Sequence, residues 1–507
     1  MIKMNNIVVI ELDGGSWNVI NPLIQQGKLP NMQQLIRNGV SGDLLSDPPL
    51  LSPRLWVSIF TGKHSQKHGV EFFGNSSSMV KCKRIWDIFH EKGHTVGVFG
   101  SFVTWPPYPI NGFMIPGLFA LGPETYPEKY RFLQELTLNE RKREKADSSS
   151  NGKRRSLLYY ASKMLSHGVS FKTFWKGVSD IVIDKIKRNP QDDRYWKRAI
   201  FYMKITTEIF LHLCKLYRPV FTTFHIHICD ALSHRYWKYY EPDKFPDVNP
   251  KLAEKYKDVI PNAYVEADRV IGKIMHLAGN AVTIVISDHG SIAMDSPKIA
   301  YRLHVDNFLN RFQLKGKVIP ANMGLMTFCY FHDSALMKQM QAIFEKVTFS
   351  DTNERVFDVL KEESLIVVRL SSSLWGREIQ GEKQVDLHEF GTCIFSDLFL
   401  FQKMEVSGTH KKEGILIIAG PGVKKGIHIN GANIYDITPT SLALAGFPVA
   451  KDMDGKVLEQ VFDNKFLREK PIQYIKSYEE SSKQTVEDTE KATYEKMKKE
   501  LEYLGYL

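Results

Sequence analysis

Residues 7–15 read IVVIELDGG, and this stretch decides the fold class. The apolar run at 7–10 is typical of a parallel strand that is buried on both faces of a sheet. Asp13, Gly14 and Gly15 follow where such a strand should end. Because ligand sites of open α/β sheets lie at the carboxyl ends of their strands, the stretch predicts a core strand that ends in a functional carboxylate.

The same order of apolar run and polar end recurs along the chain. Residues 281–287 form a β-branched run that is followed by Asp288 and His289, and residues 220–230 form another that ends at Asp230. Further predicted elements are strands at 95–100 and 413–422 and helices at 31–39 and 434–446. Strands that alternate with helices predict an α/β fold, with a mainly parallel sheet sandwiched by helices.

The sequence predicts a core in three parts, separated by two insertions. The first insertion is helical and contains the basic linker RKREKADSSSNGKRR at 141–155. It is interpreted as a cap over the site, and the alternative is an amphipathic surface that contacts a membrane. The predicted segments are core at 1–125, helical cap at 126–215, core at 216–300, a second insertion at 301–395, core at 396–465 and a charged helical tail at 466–507.

Composition restricts the class of protein. The chain has 507 residues and 43% hydrophobic content, which is normal for a globular protein. Its five cysteines lack CxxC spacing, which argues against a disulfide framework and a thiolate metal site. The formal net charge of +10 favours anionic partners, such as phosphate esters or an acidic membrane surface, and nothing specifically indicates nucleic acid. No stretch reaches the ~18 to 20 apolar residues of a membrane span, so we expect a cytoplasmic protein.

Ser52 lies between paired prolines and an apolar stretch, in PPLLSPRLWVSIFTG at 48–62. It could be an ordinary helix N-cap that accepts a backbone N–H from Arg54 or Leu55. It could also be a nucleophile, which needs a base or a metal ion to activate it. The two interpretations therefore differ in the other residues that they require.

Aspartate and histidine residues are present at the predicted strand ends. Asp13, Asp230 and Asp288 should meet at one edge of the sheet, because the carboxyl ends of parallel strands lie together. Carboxylate oxygen with imidazole nitrogen is a ligand set that suits zinc or manganese. Each residue has an ordinary structural explanation by itself, but the group as a whole favours a metal site.

Several longer stretches occur in one order along the chain. They are VVIELDGGSW at 8–17, GKLPNMQQLIRNGVSGDLLS at 27–46, PPLLSPRLWVSIFTGKHSQKHGV at 48–70, CDALSHRYW at 229–237, VISDHG at 285–290, GTHKKEGILIIAGPGVKKG at 408–426 and DITPTSLALAGFPVAKDMDGKVL at 436–458. Together they resemble the alkaline phosphatase superfamily, in particular its type I phosphodiesterase and nucleotide pyrophosphatase branch. The resemblance implies an alkaline phosphatase-like core and a metal-dependent phosphoric ester hydrolase.

The resemblance also implies roles for individual residues. Ser52 would be the nucleophile of a phosphodiesterase that forms a phosphoseryl intermediate. Two divalent ions, zinc or alternatively manganese, would hold the attacking and leaving oxygens. The implied ligands are Asp13, Asp288, His289 and Ser52 for one ion and Asp230, His234 and His410 for the other.

Weaker candidates lie around this set. Arg54 and Asn75 are candidates for substrate binding, although Ser52-Pro53-Arg54 departs from the Thr-x-Pro of many relatives. His225 and His227 alternate on one strand face, and we interpret them as supporting or core residues rather than as ligands.

Other functions are compatible with parts of the pattern. A phosphomonoesterase or a phosphomutase would use the same site, on a small phosphate ester or on a lipid-linked or glycan-linked one. A sulfatase is disfavoured, because the proline and arginine that follow Ser52 are displaced from the positions its maturation needs. A catalytically silent, basic binding protein at a membrane surface belongs to a different class, and the complete ligand set argues against it.

Overall fold

The computed structural model describes most of the chain and divides it into two compact units. Among the described residues, one unit comprises 5–293 and 408–479, and the other comprises 294–407. The candidate Asn75, linker residues 146–155 and tail residues 480–507 lie outside the described residues. The described residues are 5–71, 76–120, 122–145, 157–177, 179, 191–294, 300–323, 325–331, 333–361, 365–374, 376–402 and 406–479.

Strands and helices alternate through most of the chain. The strands are β1 (Ile7–Leu12), β2 (Gly39–Leu45), β3 (Val96–Phe99), β4 (Gly112–Ile115), β5 (Phe221–Ile226), β6 (Val282–Ile286), β7 (Gly290–Ala293), β8 (Ala300–Leu303), β9 (Val318–Met323), β10 (Met326–Phe331), β11 (Thr348–Phe349), β12 (Phe357–Lys361), β13 (Leu365–Leu370), β14 (Gln384–Asp386), β15 (Thr392–Ile394), β16 (Phe399–Gln402), β17 (Gly408–Lys411), β18 (Glu413–Ala419), β19 (Ile427–Asn433), β20 (Val449–Ala450) and β21 (Tyr474–Ile475).

The helices connect these strands. The α-helices are α1 (Trp17–Gln25), α2 (Pro30–Arg37), α3 (Ser52–Thr61), α4 (Ser65–His68), α5 (Ile85–Glu91), α6 (Arg131–Lys145), α7 (Leu157–Ser166), α8 (Gln191–Tyr217), α9 (Ile228–Tyr240), α10 (Pro250–Tyr256), α11 (Val259–Ala278), α12 (Val305–Arg311), α13 (Ser334–Phe344), α14 (Phe395–Leu398), α15 (Ile437–Ala445) and α16 (Asn464–Glu469). Short 3-10 helices are Ser77–Met79, Glu128–Tyr130, Pro242–Lys244, Ser372–Leu374, His388–Phe390, Ile434–Asp436 and Glu459–Val461.

The central sheet of the first unit has eight strands in the order β19-β2-β18-β6-β1-β5-β3-β4. Strands β6, β1, β5, β3 and β4 are parallel to their neighbours in that run. Strand β18 is antiparallel to both β2 and β6. It starts just after β17, whose partner β7 follows the carboxyl end of β6, so the chain enters the sheet from that edge and must run back. The predicted mainly parallel α/β fold is confirmed.

Strand β1 supplies side chains to both faces of the sheet. All six of its residues are buried. Val8, Ile10 and Leu12 belong to one apolar core, and Ile7 and Val9 belong to the other. Successive side chains of a strand point to opposite faces, so a strand between two layers of helices must be apolar on both.

The segment predicted as a cap insertion contributes to the core of the first unit. Helix α8 lies within it, and Ile209, Phe210 and Leu213 of that helix are buried in the same core as Val8 of β1. Leu213 lies three residues after Phe210 and four after Ile209, and these spacings place apolar side chains on one helix face. Only part of residues 126–215 can therefore act as a cap.

The second unit has its own sheet and apolar core. Strands β12-β13-β10-β9 form an antiparallel sheet, and Phe308, Phe344 and Phe357 pack together beside it. Strand β8 pairs with β16, so residues 396–402, which we predicted as core, belong to this unit. The unit is therefore wider than the predicted insertion.

Exposed aromatic side chains follow the basic linker. Phe171 and Trp175 are 65% and 50% exposed, and their ring centroids lie 5.7 Å apart. Within the described ranges, no helix has the length and apolar character to cross a bilayer. Peripheral contact with a membrane through this segment stays a prediction.

We expect Ile10→Ala to lower the free energy of unfolding by about 2–5 kcal/mol, because it leaves a cavity beside a close-packed core. Ile10→Val removes a single methylene and should cost about 0.5–1.5 kcal/mol. Denaturant unfolding measures both, with Ile427→Ala as the control because Ile427 is 41% exposed. Equal effects at Ile10 and Ile427 would contradict the packing of β1.

Candidate active site

The carboxyl edge of the central sheet gathers the candidate ligands. Asp13 follows β1 and Asp288 lies just beyond β6, and these two strands are parallel neighbours. Asp230 and His234 lie on α9, which follows β5 on the other side of β1. His410 lies on β17, which pairs with β7. The chain thus brings distant sequence positions together because their strands are adjacent.

The position of Asp230 differs from the prediction. Strand β5 ends at Ile226, and α9 begins at Ile228, so Asp230 lies in the first turn of a helix rather than at a strand end. Residues four apart on a helix lie on one face. Accordingly, His234 Nε2 is 3.3 Å from Asp230 Oδ1.

One group of ligand atoms comes from Asp13, Asp288 and His289, which are all fully buried. The three atoms lie within 4.8 Å of one another. His289 Nε2 is 3.7 Å from Asp13 Oδ1 and 3.4 Å from Asp288 Oδ2. Ser52 Oγ is 3.2 Å from the same His289 nitrogen. The predicted nucleophile therefore lies against the predicted ligands.

A second group comes from Asp230, His234 and His410. The Nε2 atoms of His234 and His410 are 2.9 Å apart, and His410 Nε2 is 3.4 Å from Asp230 Oδ1. The rings of His289 and His410 stack with centroids 3.6 Å apart. This stacking joins the two groups into one site.

Backbone carbonyls orient the three histidines. In each ring Nδ1 faces a carbonyl oxygen, which can only accept a hydrogen bond, so Nδ1 carries the proton. In a neutral ring Nε2 then presents its lone pair to the cluster, and two such lone pairs at 2.9 Å repel unless a cation lies between them. The Nδ1 partners are Gly408 O for His234 at 2.9 Å, Leu50 O for His410 at 2.9 Å and Gly290 O for His289 at 3.2 Å.

Burial and mutual repulsion set the charges of the carboxylates. Burial and the nearby Asp13 raise the pKa of Asp288 well above its usual range. Burial also acts to raise the pKa of Asp230, but the charges and hydrogen bonds of His234 and His410 lower it well below that range. Burial and the charge of His410 lower the pKa of His289 to about 3, which keeps its ring neutral and able to act as a ligand.

Several buried oxygens in the site need a partner. Asp13 Oδ1 and both carboxylate oxygens of Asp288 make no hydrogen bond within the described part of the chain. Leaving buried carboxylate oxygens unpaired is costly, and a divalent cation removes that cost. Three carboxylates and three histidines therefore fit two ions such as zinc or manganese.

Ser52 is the first residue of α3, and Leu51 is the N-cap. The N-cap interpretation of Ser52 is therefore wrong, because its hydroxyl faces His289 instead of the helix backbone. Its position at a helix N-terminus still matters, since free N–H groups and the helix dipole favour an anionic group there.

The structure does not bring Arg54 into the cluster. Its side chain is buried, and Nη1 donates to Asp47 O at 2.9 Å and to Pro49 O at 3.3 Å. Nε donates to Ser65 Oγ at 3.2 Å. These bonds hold the loop that precedes Ser52. The guanidinium of Arg54 is therefore used to stabilise that loop.

His225 and His227 lie on the other side of Asp13. His225 Nε2 is 3.3 Å and His227 Nδ1 is 3.0 Å from Asp13 Oδ2. Glu11, which we did not predict, is fully buried, and its Oε2 is 3.0 Å from His225 Nδ1. An acidic residue inside the apolar run of β1 is the signal that could have identified it.

Comparison with models of protein families matches residues 7–369 to the model described as type I phosphodiesterase / nucleotide pyrophosphatase. The chain belongs to this family. The predicted resemblance is therefore confirmed, and so is the enzyme class, because the family consists of hydrolases that act on phosphate esters. A search of curated proteins finds no matching relative.

Solved structures of other proteins share weak similarity with the chain. One is an inactive variant of murine ectonucleotide pyrophosphatase / phosphodiesterase 5 in complex with AMP, with 12% identity, 90% of this chain and 100% of that chain covered, and a TM-score of 0.46. The human protein of the same name has 12% identity, coverage of 89% and 97%, and a TM-score of 0.44.

We expect Gly14→Ala to weaken metal binding by about tenfold or more, because the added Cβ would push against the candidate ligand Asp230 and change its position. Gly14 has φ +65°, and a Cβ there would lie 2.9 Å from Asp230 Cβ and 2.9 Å from Ser291 Oγ. Gly27→Ala is the matched control, because Gly27 has φ +69° with nothing within 4 Å of the added Cβ. Calorimetric titration with zinc measures the difference, and equal losses in both variants would show that backbone strain alone is responsible.

Proposed function

We propose that the protein is a two-metal phosphodiesterase that forms a phosphoseryl intermediate on Ser52. The observation that carries this proposal is the position of Ser52 Oγ, 3.2 Å from His289 Nε2 at the start of a helix and beside buried carboxylates. Membership of the type I phosphodiesterase family supports the reaction class.

The ligand groups divide the work between two ions. Asp13, Asp288 and His289 would hold one ion beside Ser52, and the group of Asp230, His234 and His410 would hold the other. Ions bound there would lower the pKa of a hydroxyl and neutralise charge on phosphate oxygens.

Ser52 supplies the nucleophile of the first step. Its oxygen bonds to phosphorus while the bond to the leaving alcohol oxygen breaks, so the phosphoryl group is transferred to the chain. The hydroxyl proton passes to solvent, and the leaving oxygen takes up a proton. Water then attacks the phosphoserine, which restores Ser52 and releases the phosphate product.

The helix start supports both steps. The first turn of a helix leaves backbone N–H groups without partners inside the helix, so the start of α3 at Ser52 would stabilise an anionic phosphoryl group, although Pro53 contributes no N–H. Arg54 keeps this turn in place through its bonds to the preceding loop.

A phosphomonoesterase or a phosphomutase would use the same residues. Nitrophenyl mono- and diesters distinguish the first alternative from a diesterase, and transfer to an acceptor hydroxyl without net hydrolysis distinguishes the second. A silent binding protein has no requirement for buried carboxylate oxygens without a hydrogen bond, and among the described residues Asp13 Oδ1 and both carboxylate oxygens of Asp288 are such atoms.

If Ser52 is the nucleophile, Ser52→Ala should lose about 10³-fold or more in turnover, while metal content stays near that of the parent protein. Ser52→Thr keeps the hydroxyl and should retain substantial turnover. Steady-state hydrolysis of a nitrophenyl diester measures both. Rapid quench with a labelled diester, followed by peptide mapping, should place a phosphoryl group on the peptide that contains Ser52.

Full turnover by Ser52→Ala, with no phosphopeptide in the parent, would remove the covalent mechanism. Direct attack by water on the bound diester would then be the better account. Loss of metal in Ser52→Ala would instead make Ser52 a structural part of the ligand set.

If the ligands are divided between two ions as proposed, variants of residues that hold the same ion should lose the same ion. Asp230→Ala and His410→Ala should each remove about one zinc ion per chain, and the double variant should lose no more, because both residues serve one ion. Elemental analysis after dialysis measures the content, and exposed His428→Ala is the control. A further loss in the double variant would show that the two residues hold different ions.

A further inference from the structure

We propose that Asp13, His225 and His227 form a third cation site, for a divalent transition metal ion such as zinc or manganese. One ligand atom from each of these residues lies within 4.8 Å of the other two. The site adjoins the two groups described above and shares Asp13 with the group of Asp288 and His289.

The two oxygens of Asp13 face different partners. Oδ1 points towards His289 Nε2, 3.7 Å away. Oδ2 lies 3.3 Å from His225 Nε2 and 3.0 Å from His227 Nδ1. A single carboxylate can therefore serve the Asp288 group through one oxygen and the third site through the other.

His225 is held as a metal-binding histidine is held. Nδ1 lies 3.0 Å from Glu11 Oε2, which leaves Nε2 directed at Asp13. The ring is fixed edge-on against Trp56 and Phe102, with centroids 5.4 Å and 5.2 Å away. A carboxylate on the far nitrogen of a ligating histidine fixes its orientation and raises its basicity.

The Nε2 atom of His225 is buried and makes no hydrogen bond among the described residues. With Nδ1 donating to Glu11, the neutral ring presents a lone pair to an anionic oxygen, an arrangement that requires a positive charge between the two atoms. His227 adds a second nitrogen to the same oxygen, and its side chain is 22% exposed, so solvent can complete a coordination sphere there. Two imidazoles and one carboxylate suit a first-row divalent metal ion.

A proton is the competing occupant. Burial acts to lower the pKa of His225, but the neighbouring carboxylates of Asp13 and Glu11 raise it to about 10. A protonated His225 would donate one N–H to each of the two carboxylates and would offset one of their two negative charges without His227. A proton and a metal ion at this site thus lead to different numbers of bound metal ions per chain. Only a bound metal ion makes His227 a ligand.

The experiment counts ions in the full chain. After removal of metal and reloading with zinc, elemental analysis of the parent should give about three ions per chain, and His227→Ala should give about two. His428→Ala, an exposed histidine on β19, should match the parent. Circular dichroism checks that each variant is folded.

A second variant tests the support of His225. Glu11→Gln keeps an acceptor for His225 Nδ1 but removes its charge, and should weaken binding of the third ion by about tenfold or more while the other ions stay bound. Calorimetric titration separates these events. Unchanged affinities would overturn the role of Glu11 and, with it, the proposed orientation of His225.

Two outcomes would overturn the third site alone. Two ions in both the parent and His227→Ala would show that a proton occupies the site, and three ions in both would place the extra ion elsewhere. Fewer than two ions in the parent would overturn the proposed function as well, so the two failures are distinguishable.

Discussion

Three buried carboxylates at one edge of a sheet are the constraint on which the site depends. Asp13, Asp230 and Asp288 are buried close together, and burial together with their mutual repulsion raises the pKa of Asp288. Such a group is stable only if cations or protons supply the missing positive charge. The surrounding histidines cannot all do so by protonation, because burial and a neighbouring ring keep His289 neutral. The charge balance of the site is therefore completed by the cations or protons that it takes up.

Rigid backbone, rather than side-chain flexibility, holds this arrangement. The strands that lead to Asp13 and Asp288 are adjacent and parallel, and they are buried between two layers of helices. Each histidine ring is fixed through Nδ1 by a backbone carbonyl oxygen, which belongs to a distant segment for His234 and His410 and to the next residue for His289, so the Nε2 atoms stay directed at the cluster. The free energy of folding is thus used to hold like charges together before any ligand arrives.

Much of this could be predicted from the sequence, and the failures have physical reasons. Apolar runs that end in aspartate predicted β1 and β6, because a doubly buried strand has little freedom in composition. Asp230 was placed on a strand, since the run before it is apolar through both the strand and the first turn of α9. The role of the Ser52 hydroxyl could not be assigned from local pattern, because a cap and a nucleophile can both lie at the start of a helix. Glu11 was missed because its partner His225 lies on a neighbouring strand, far away in sequence.

The second unit shows why sequence separation says little about the site. Residues 294–407 interrupt the hairpin of β7 and β17, whose ladder pairs Ala293 with Gly408 at the point of insertion. The two ends of the insert are thereby fixed side by side. The entropic cost of closing a loop grows only slowly with its length, so a long segment can be inserted here while the ladder stays intact. His410 stays in register with Ser291, and its ring keeps its bond to Leu50 O. A ligand can thus lie more than a hundred residues beyond His289 in sequence and still stack on it, because the hairpin, not the intervening chain, determines its position.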